Sequence, residues 1–232
     1  MNVIPWNVWV VGLGTTVCVS ISPGCAILQR PVELPTDDGP VVMVMSGALG
    51  QPLSDVARHP WIAMREEVGS NWIRYEVMCC EPNTVERHIH DPLDDYGAGG
   101  GDVQVHGVIR GEEARDAIAC IEREAKRYPY DDYYLVWPGP NSNTFVDYMI
   151  RTCDLDTELP ATAIGRDYRG PVGVSTTAGG TGVQFESPVV GLKVGLTEGV
   201  ELHIFTLAIG VDLWPPAIIL PVGDGRLGFA DR

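Results

Sequence analysis

The sequence predicts an α+β fold: two principal helices on an antiparallel sheet, a β-rich C-terminal third, and an N-terminal transmembrane or signal-like helix. Three observations carry that expectation. After Gly111 the apolar residues recur at helical spacing, between an acidic first turn and a basic last turn. After Asp167 the chain becomes rich in Gly and Val, with the period-two alternation of strands. Residues 3–28 contain no charged side chain, a span long enough to cross a bilayer as a helix.

In chain order, residues 1–30 read as a membrane anchor or signal-like segment, with Trp6 and Trp9 near one end as interfacial residues. Three readings stay open there. A secretory signal lacks its basic n-region, and Ser22-Pro23-Gly24-Cys25 imitates a lipoprotein cleavage site. An uncleaved anchor fits the length, although Gly12, Gly14 and Pro23 lower helix propensity. Residues 31–40, with three prolines and Asp37-Asp38-Gly39, form a polar linker. A single α+β domain is expected over 41–228. Residues 41–49 read as a buried strand, and 59–65 with 72–77 as a hairpin around Gly69-Ser70-Asn71. Residues 81–102 show no packing pattern. The helix after Gly111 has Ala114, Ile118, Ile121, Ala125 and Tyr128 as its core stripe, and Pro129 ends it. Residues 133–137 read as a short strand. Pro138-Gly139-Pro140 then breaks regular structure before a second helix, capped by Asn141 or Ser142, with Phe145, Tyr148 and Met149 on one face. Strands follow at 172–175, 183–186, 189–196, 200–211 and 217–220.

Composition narrows the function. A net charge of −15 excludes a nucleic-acid partner, because phosphate binding needs clustered Lys and Arg and the dense basic stretch at 123–127 is offset by Glu. Six cysteines in 232 residues make no disulfide framework, and Cys120 and Cys153 read as small buried apolar residues. Gly12-x-Gly14 lacks the third glycine of a dinucleotide fingerprint, and no cofactor is expected.

The Pro-Gly-Pro break sets Ser142 at the mouth of a helix, beside amides that can receive an anion. An activated serine needs a base held by a third group, and His59 with Glu76 are the candidates. The alternative is structural, with Ser142 capping its helix and His59 a core histidine bonded to it. Trp61, Tyr130, Tyr134, Trp137, Asn141 and Asn143 are candidates for lining a ligand groove, since aromatic rings with polar tips suit sugars, lipids or a partner chain. His88, His90 and His106 have metal-ligand chemistry, but their spacing matches no defined motif.

Residues 59–65, 75–77, 110–111, 128–130, 137–145 (Trp-Pro-Gly-Pro-Asn-Ser-Asn-Thr-Phe) and 159–168 resemble an uncharacterised bacterial family of membrane-associated domains, over roughly residues 41–228. Its members typically carry Gly-Trp where this chain has Met78-Cys79-Cys80, and residues 87–101 also depart from the family pattern. A more distant resemblance is to permuted papain-like folds, of the NlpC and lecithin retinol acyltransferase type. There His59 matches the strand histidine, and residues 141–145 match the nucleophile motif with Ser142 in place of Cys. These resemblances imply an envelope protein on the periplasmic or extracytoplasmic side of a bacterial inner membrane, held to lipid through residues 3–28. Its expected role is non-catalytic: a scaffold, ligand-binding module or accessory subunit of a membrane protein complex. The alternative is a Ser–His hydrolase or acyltransferase acting on a cell-wall peptide or lipid ester.

Overall fold

The computed structural model describes residues 11–12, 15–16, 32–36, 38–79, 83–94 and 99–229. Within the N-terminal unit, β1 (Val11–Gly12) pairs antiparallel with β2 (Thr15–Thr16). The rest of the expected anchor, Cys25 included, lies outside the described residues. Where that span is described it is strand. No helix among the described residues is long and apolar enough to cross a membrane, so the expectation of a transmembrane helix is corrected.

The second unit, Val32–Arg232, holds two antiparallel sheets. The first has five strands in the order β6-β5-β4-β3-β7, with β3 Val41–Leu49, β4 Arg58–Arg65, β5 Ile73–Val77, β6 Val85–Ile89 and β7 Gly99–Arg110. Both faces are covered, which is why Val41 to Met45 read as a continuous apolar run. Val42, Val44, Ile62, Met64 and Tyr75 face α1 (Gly111–Ala125) and α2 (Ser142–Thr152). Val41, Met43, Met45, Trp61 and Ala63 form a second cluster on the opposite face. Helix α1 buries Ala114, Ala117, Ile118, Ile121 and Ala125, the stripe its spacing dictates. Gly111 starts it at φ 66°, a left-handed conformation that glycine adopts without steric cost, and donates its N–H to Pro40 O.

The remaining strands form a seven-stranded meander: β8 Gly173–Thr176, β9 Gly182–Glu186, β10 Val190–Gly195, β11 Gly199–Ile204, β12 Leu207–Leu213, β13 Pro216–Ile219 and β14 Arg226–Gly228. The fold is therefore mostly β, 38% strand against 14% helix, and the expectation of a permuted papain-like core with an N-terminal helix is overturned. Residues 85–89 and 99–110, where no pattern was read, add two strands. The expected strand at 133–137 is irregular chain, and the one at 200–211 is broken by a two-residue turn at Phe205-Thr206. Both turn residues have positive φ, 49° and 65°, as a tight hairpin between twisted strands requires.

Cys120 and Cys153 are not separate apolar residues. They form a disulfide that ties the second half of α1 to the end of α2 across 33 residues. Closing a loop of that length removes unfolded-chain entropy worth about 3–4 kcal/mol. Replacing both cysteines with Ser should lower the thermal unfolding midpoint by several degrees, with far-ultraviolet circular dichroism unchanged; scanning calorimetry measures it.

Candidate functional site

Helix α2 is opened by Asn141, not Ser142. The Asn141 carboxamide oxygen accepts from Asn143 N at 2.9 Å and Thr144 N at 3.2 Å, and Thr144 Oγ1 accepts the Asn141 N–H at 3.1 Å, a reciprocal cap. The remaining polar groups of the Pro-Gly-Pro segment are turned on a neighbouring loop. Asn141 Nδ2 donates to Val136 O and Ile164 O, Asn143 Nδ2 donates to Ile164 O at 2.7 Å, and Thr144 Oγ1 donates to Gly165 O at 2.8 Å. Gly165 lies so close to Asn141 that an added Cβ would stand 2.5 Å from its Nδ2. Trp137, about half exposed, donates from Nε1 to Phe205 O and Thr206 Oγ1 and thereby clamps the left-handed turn of the second sheet. Ser142 is buried in the first turn of α2.

His59 and Ser142 are not brought together. Strand alternation puts Ile62 and Met64 toward the helices and Trp61 and Ala63 away from them, and His59 shares the parity of Trp61. On that far face His59 Nε2 meets Glu76 Oε2 at 2.7 Å, and Arg74 Nη2 meets the same oxygen at 2.7 Å. Burial opposes ionisation of Glu76, but its bonds to His59 and Arg74 outweigh it and hold the carboxyl below its ordinary range. The Arg74 guanidinium lies 4.0 Å over the Trp61 ring, whose Nε1 donates to Pro92 O. The far face is thus closed by its own ion pairs. Tyr130 and Tyr134 pack on the helix-side core, Tyr130 edge-on to Tyr128 and Tyr168.

His88 Nε2 is 3.0 Å from Glu76 Oε1, and His90 Nε2 is 3.0 Å from Asp94 Oδ2. His106, on β7, contacts Ser46 Oγ at 2.7 Å and is separated from β6 by three intervening strands, so the three histidines share no site.

What sequence reasoning missed lies under the C-terminal sheet. The side chains turned inward there are Gln184, Glu186, Lys193, Glu201, His203 and Asp212, all buried. They meet Glu158, Arg166 and Asp167. Arg166 bonds Asp167 Oδ2 through Nε at 2.9 Å and Glu201 Oε2 through Nη2 at 2.6 Å. Lys193 Nζ donates to Glu201 Oε1 at 3.0 Å and to Glu158. Gln184 Nε2 reaches Asp167 at 2.6 Å and Glu186 at 2.8 Å, and its oxygen accepts from Arg151 of α2. Room for these groups comes from cross-strand glycines: a Cβ on Gly191 would stand 2.1 Å from the Glu186 carboxylate.

Electrostatics match this geometry. Burial disfavours every charge here, yet Arg166 and Lys193 drive Asp167 and Glu201 well below the usual carboxylate range, and the carboxylates hold Lys193 and Arg166 protonated. His203 also loses by burial, but Asp167, Glu186 and Glu201 push it up to about 9. Asp167, Glu186 and His203 have the right chemistry for a metal and lie within 4.8 Å of one another. Each is already engaged, Asp167 by Arg166 and Gln184, and Glu186 by Gln184 and by His203 Nδ1 at 2.7 Å, so the trio fits a charge-balanced core better than a cation site.

Beside the network is a cavity of about 320 Å³, lined by His106, Glu158, Arg166, Glu201, Asp212 and Arg226 among others. Burial, with Glu158 and Glu201 nearby and Arg226 opposing, raises Asp212 to about 6. A carboxyl poised near neutrality can exchange protons, but among the described residues no Ser, Cys or Thr lines this cavity to act as a nucleophile.

Two outcomes follow. Asn141→Ala should cost about 1–2 kcal/mol or more, while Ser142→Ala costs less, because the cap is the asparagine; urea unfolding of both variants compares them. His203 is charged in the folded chain up to about 9, against an ordinary value of 6.5. Its contribution is complete below the ordinary value, is lost as pH rises through about 9, and amounts to about 3 kcal/mol at most. Urea midpoints should therefore fall between about pH 7 and pH 9 in the wild type, and His203→Gln should flatten that decline.

The profile of the family described as "Protein of unknown function (DUF3750)" matches residues 40–168 of the chain. No curated protein and no solved structure gives a significant match. The matched region takes in the five-stranded sheet, both helices and the Arg166–Asp167 pair, and it stops before the seven-stranded sheet.

Proposed function

The chain belongs to the DUF3750 family of proteins of unknown function, and we propose that it is a non-catalytic assembly module, a scaffold or accessory subunit that docks another protein surface through its C-terminal sheet. The observation that carries this reading is the outward face of that sheet. About fifteen Val, Leu, Ile and Phe side chains stand there, each between 40% and 73% exposed. Together they present on the order of 1,400 Å² of apolar surface, where the largest patch of an ordinary monomer is about 300–600 Å². Such a face in water is a face awaiting cover.

The hydrolase reading draws no support from the geometry, since Ser142 and His59 lie toward opposite faces of the five-stranded sheet. The Cys120–Cys153 disulfide supports an extracytoplasmic setting, because reducing compartments keep thiols apart.

A photo-reactive residue placed in the full-length chain at Leu202, on the apolar face, should cross-link to protein in the cell. The same residue at Arg115, exposed on α1, should not. No product from Leu202, or equal products from both positions, would sink the reading.

A further inference from the structure

The apolar face has a second property besides its size: it is chemically uniform across its central strands. Across the central strands, register pairs Val183 with Val194, Val194 with Val200, Val200 with Val211, and Val211 with Ile218. One row over, Val174, Phe185, Leu192, Leu202 and Ile209 are matched in the same way. None of these side chains carries a charge or a hydrogen-bonding group: the charged residues of the strands face the other side, and the hydroxyl of Thr176 stands only at the β8 edge, opposite Val183.

Resting on the assembly reading above, we propose that the occupant of this face is a second copy of the chain, the two seven-stranded sheets packing face to face as a β-sandwich. Four features favour that occupant. First, an interface of standard size takes about 800 Å² from each partner, so a little over half of the available face suffices. Second, a two-fold axis sets like against like, which fails where charges line a surface but carries no penalty on a face that bears no charge and is aliphatic and aromatic carbon at its centre. Third, sheets pack face to face about 10 Å apart with side chains interdigitating, and Val, Leu and Ile are the residues that fill such a layer. Fourth, the competing apolar partner, a bilayer, fits poorly. The strands have 4 to 7 residues from β8 to β13, short of the roughly 9–11 a membrane-spanning strand needs. A chain of net charge −15 is also repelled by anionic lipid surfaces.

The dimer would leave the polar network untouched on the inner side of each sheet. It would turn the exposed aliphatic rows into a core between chains, so a charge introduced there should break association without unfolding the chain. Leu202 and Ile209 are suitable positions, being register partners at the centre of the face.

The test uses the full-length chain. Sedimentation equilibrium should give twice the 25.2 kDa chain mass for wild type and a single chain mass for Leu202→Asp/Ile209→Asp, with the circular dichroism of a folded chain retained. A mixture of isotope-labelled and unlabelled wild-type chains, photo-cross-linked from Leu202, should yield heavy–light peptide pairs drawn from residues 174–218; this arm needs no charged variant to fold. A wild type of single chain mass well above micromolar concentration, or cross-links confined to one chain, overturns the proposal. So does wild type that floats with phosphatidylcholine vesicles as single chains. If Leu202 instead captures a different protein, the second copy is wrong while the docking face stands; if it captures nothing, both fall.

Discussion

A lysine with no exposed surface must be neutralised where it stands, and Lys193 sits in the middle of a strand of the C-terminal sheet. Its ammonium is met by Glu201 and Glu158, Glu201 is shared with Arg166, and Arg166 in turn holds Asp167. Removing any one of these partners leaves a buried charge uncompensated, at a cost of about 3–5 kcal/mol. The arrangement of the unit follows from this closure. The sheet has to lie against the segment that carries Glu158, Arg166 and Asp167. Its strands then have to turn their charged residues inward, and period-two alternation sends the aliphatic residues out. The apolar face is the geometric consequence of satisfying the charged one.

The Pro-Gly-Pro segment belongs to the same closure. It holds the loop at 164–165 through Asn141, Asn143 and Thr144, one residue before Arg166, and it grips the β11–β12 turn through Trp137. Helix α2 adds Arg151, bonded to Gln184, and Asp147, paired with Arg169. A string that resembles a papain-like nucleophile motif is, in this chain, the joint between the helix-bearing sheet and the polar underside of the other one. The family match ends just past that joint, so the matched residues include one half of an ion-pair network whose other half lies outside them.

Much of the local structure could be read from residues alone. Helix α1 follows from its stripe and its charged ends, the 59–77 hairpin from β-branched and aromatic runs, and the late strands from alternation. Which face of those late strands is buried could not. Alternation states that two faces differ, and the general tendency of apolar residues to face inward assigns them the wrong way round here. The inward signal was present in Glu201-x-His203 and Gln184-x-Glu186 at strand spacing, but it becomes decisive only beside Arg166 and Asp167, which are distant in sequence. The same limit misled the pairing of His59 with Ser142. Their residue types suit a dyad, and only the parity of β4 turns the histidine toward Glu76. Strands β6 and β7 went unread because His, Arg, Gly and Asp interrupt their patterns, and the Cys120–Cys153 bond because it depends on how α1 and α2 pack.

A sheet with carbon on one side and balanced charge on the other also has its own ruler. Sliding β10 or β11 by one residue would move Lys193 or Glu201 into solvent, strand its former partners, and press a valine or leucine into carboxylates and guanidinium groups. A sheet with one ordinary core face resists such a slip through a single loss of burial. Here β10 and β11 are penalised on both sides at once. Hairpin loops that differ in length and build, from the Phe205-Thr206 pair to the longer Leu196–Glu198 turn, can therefore connect strands of correct alignment without having to impose it.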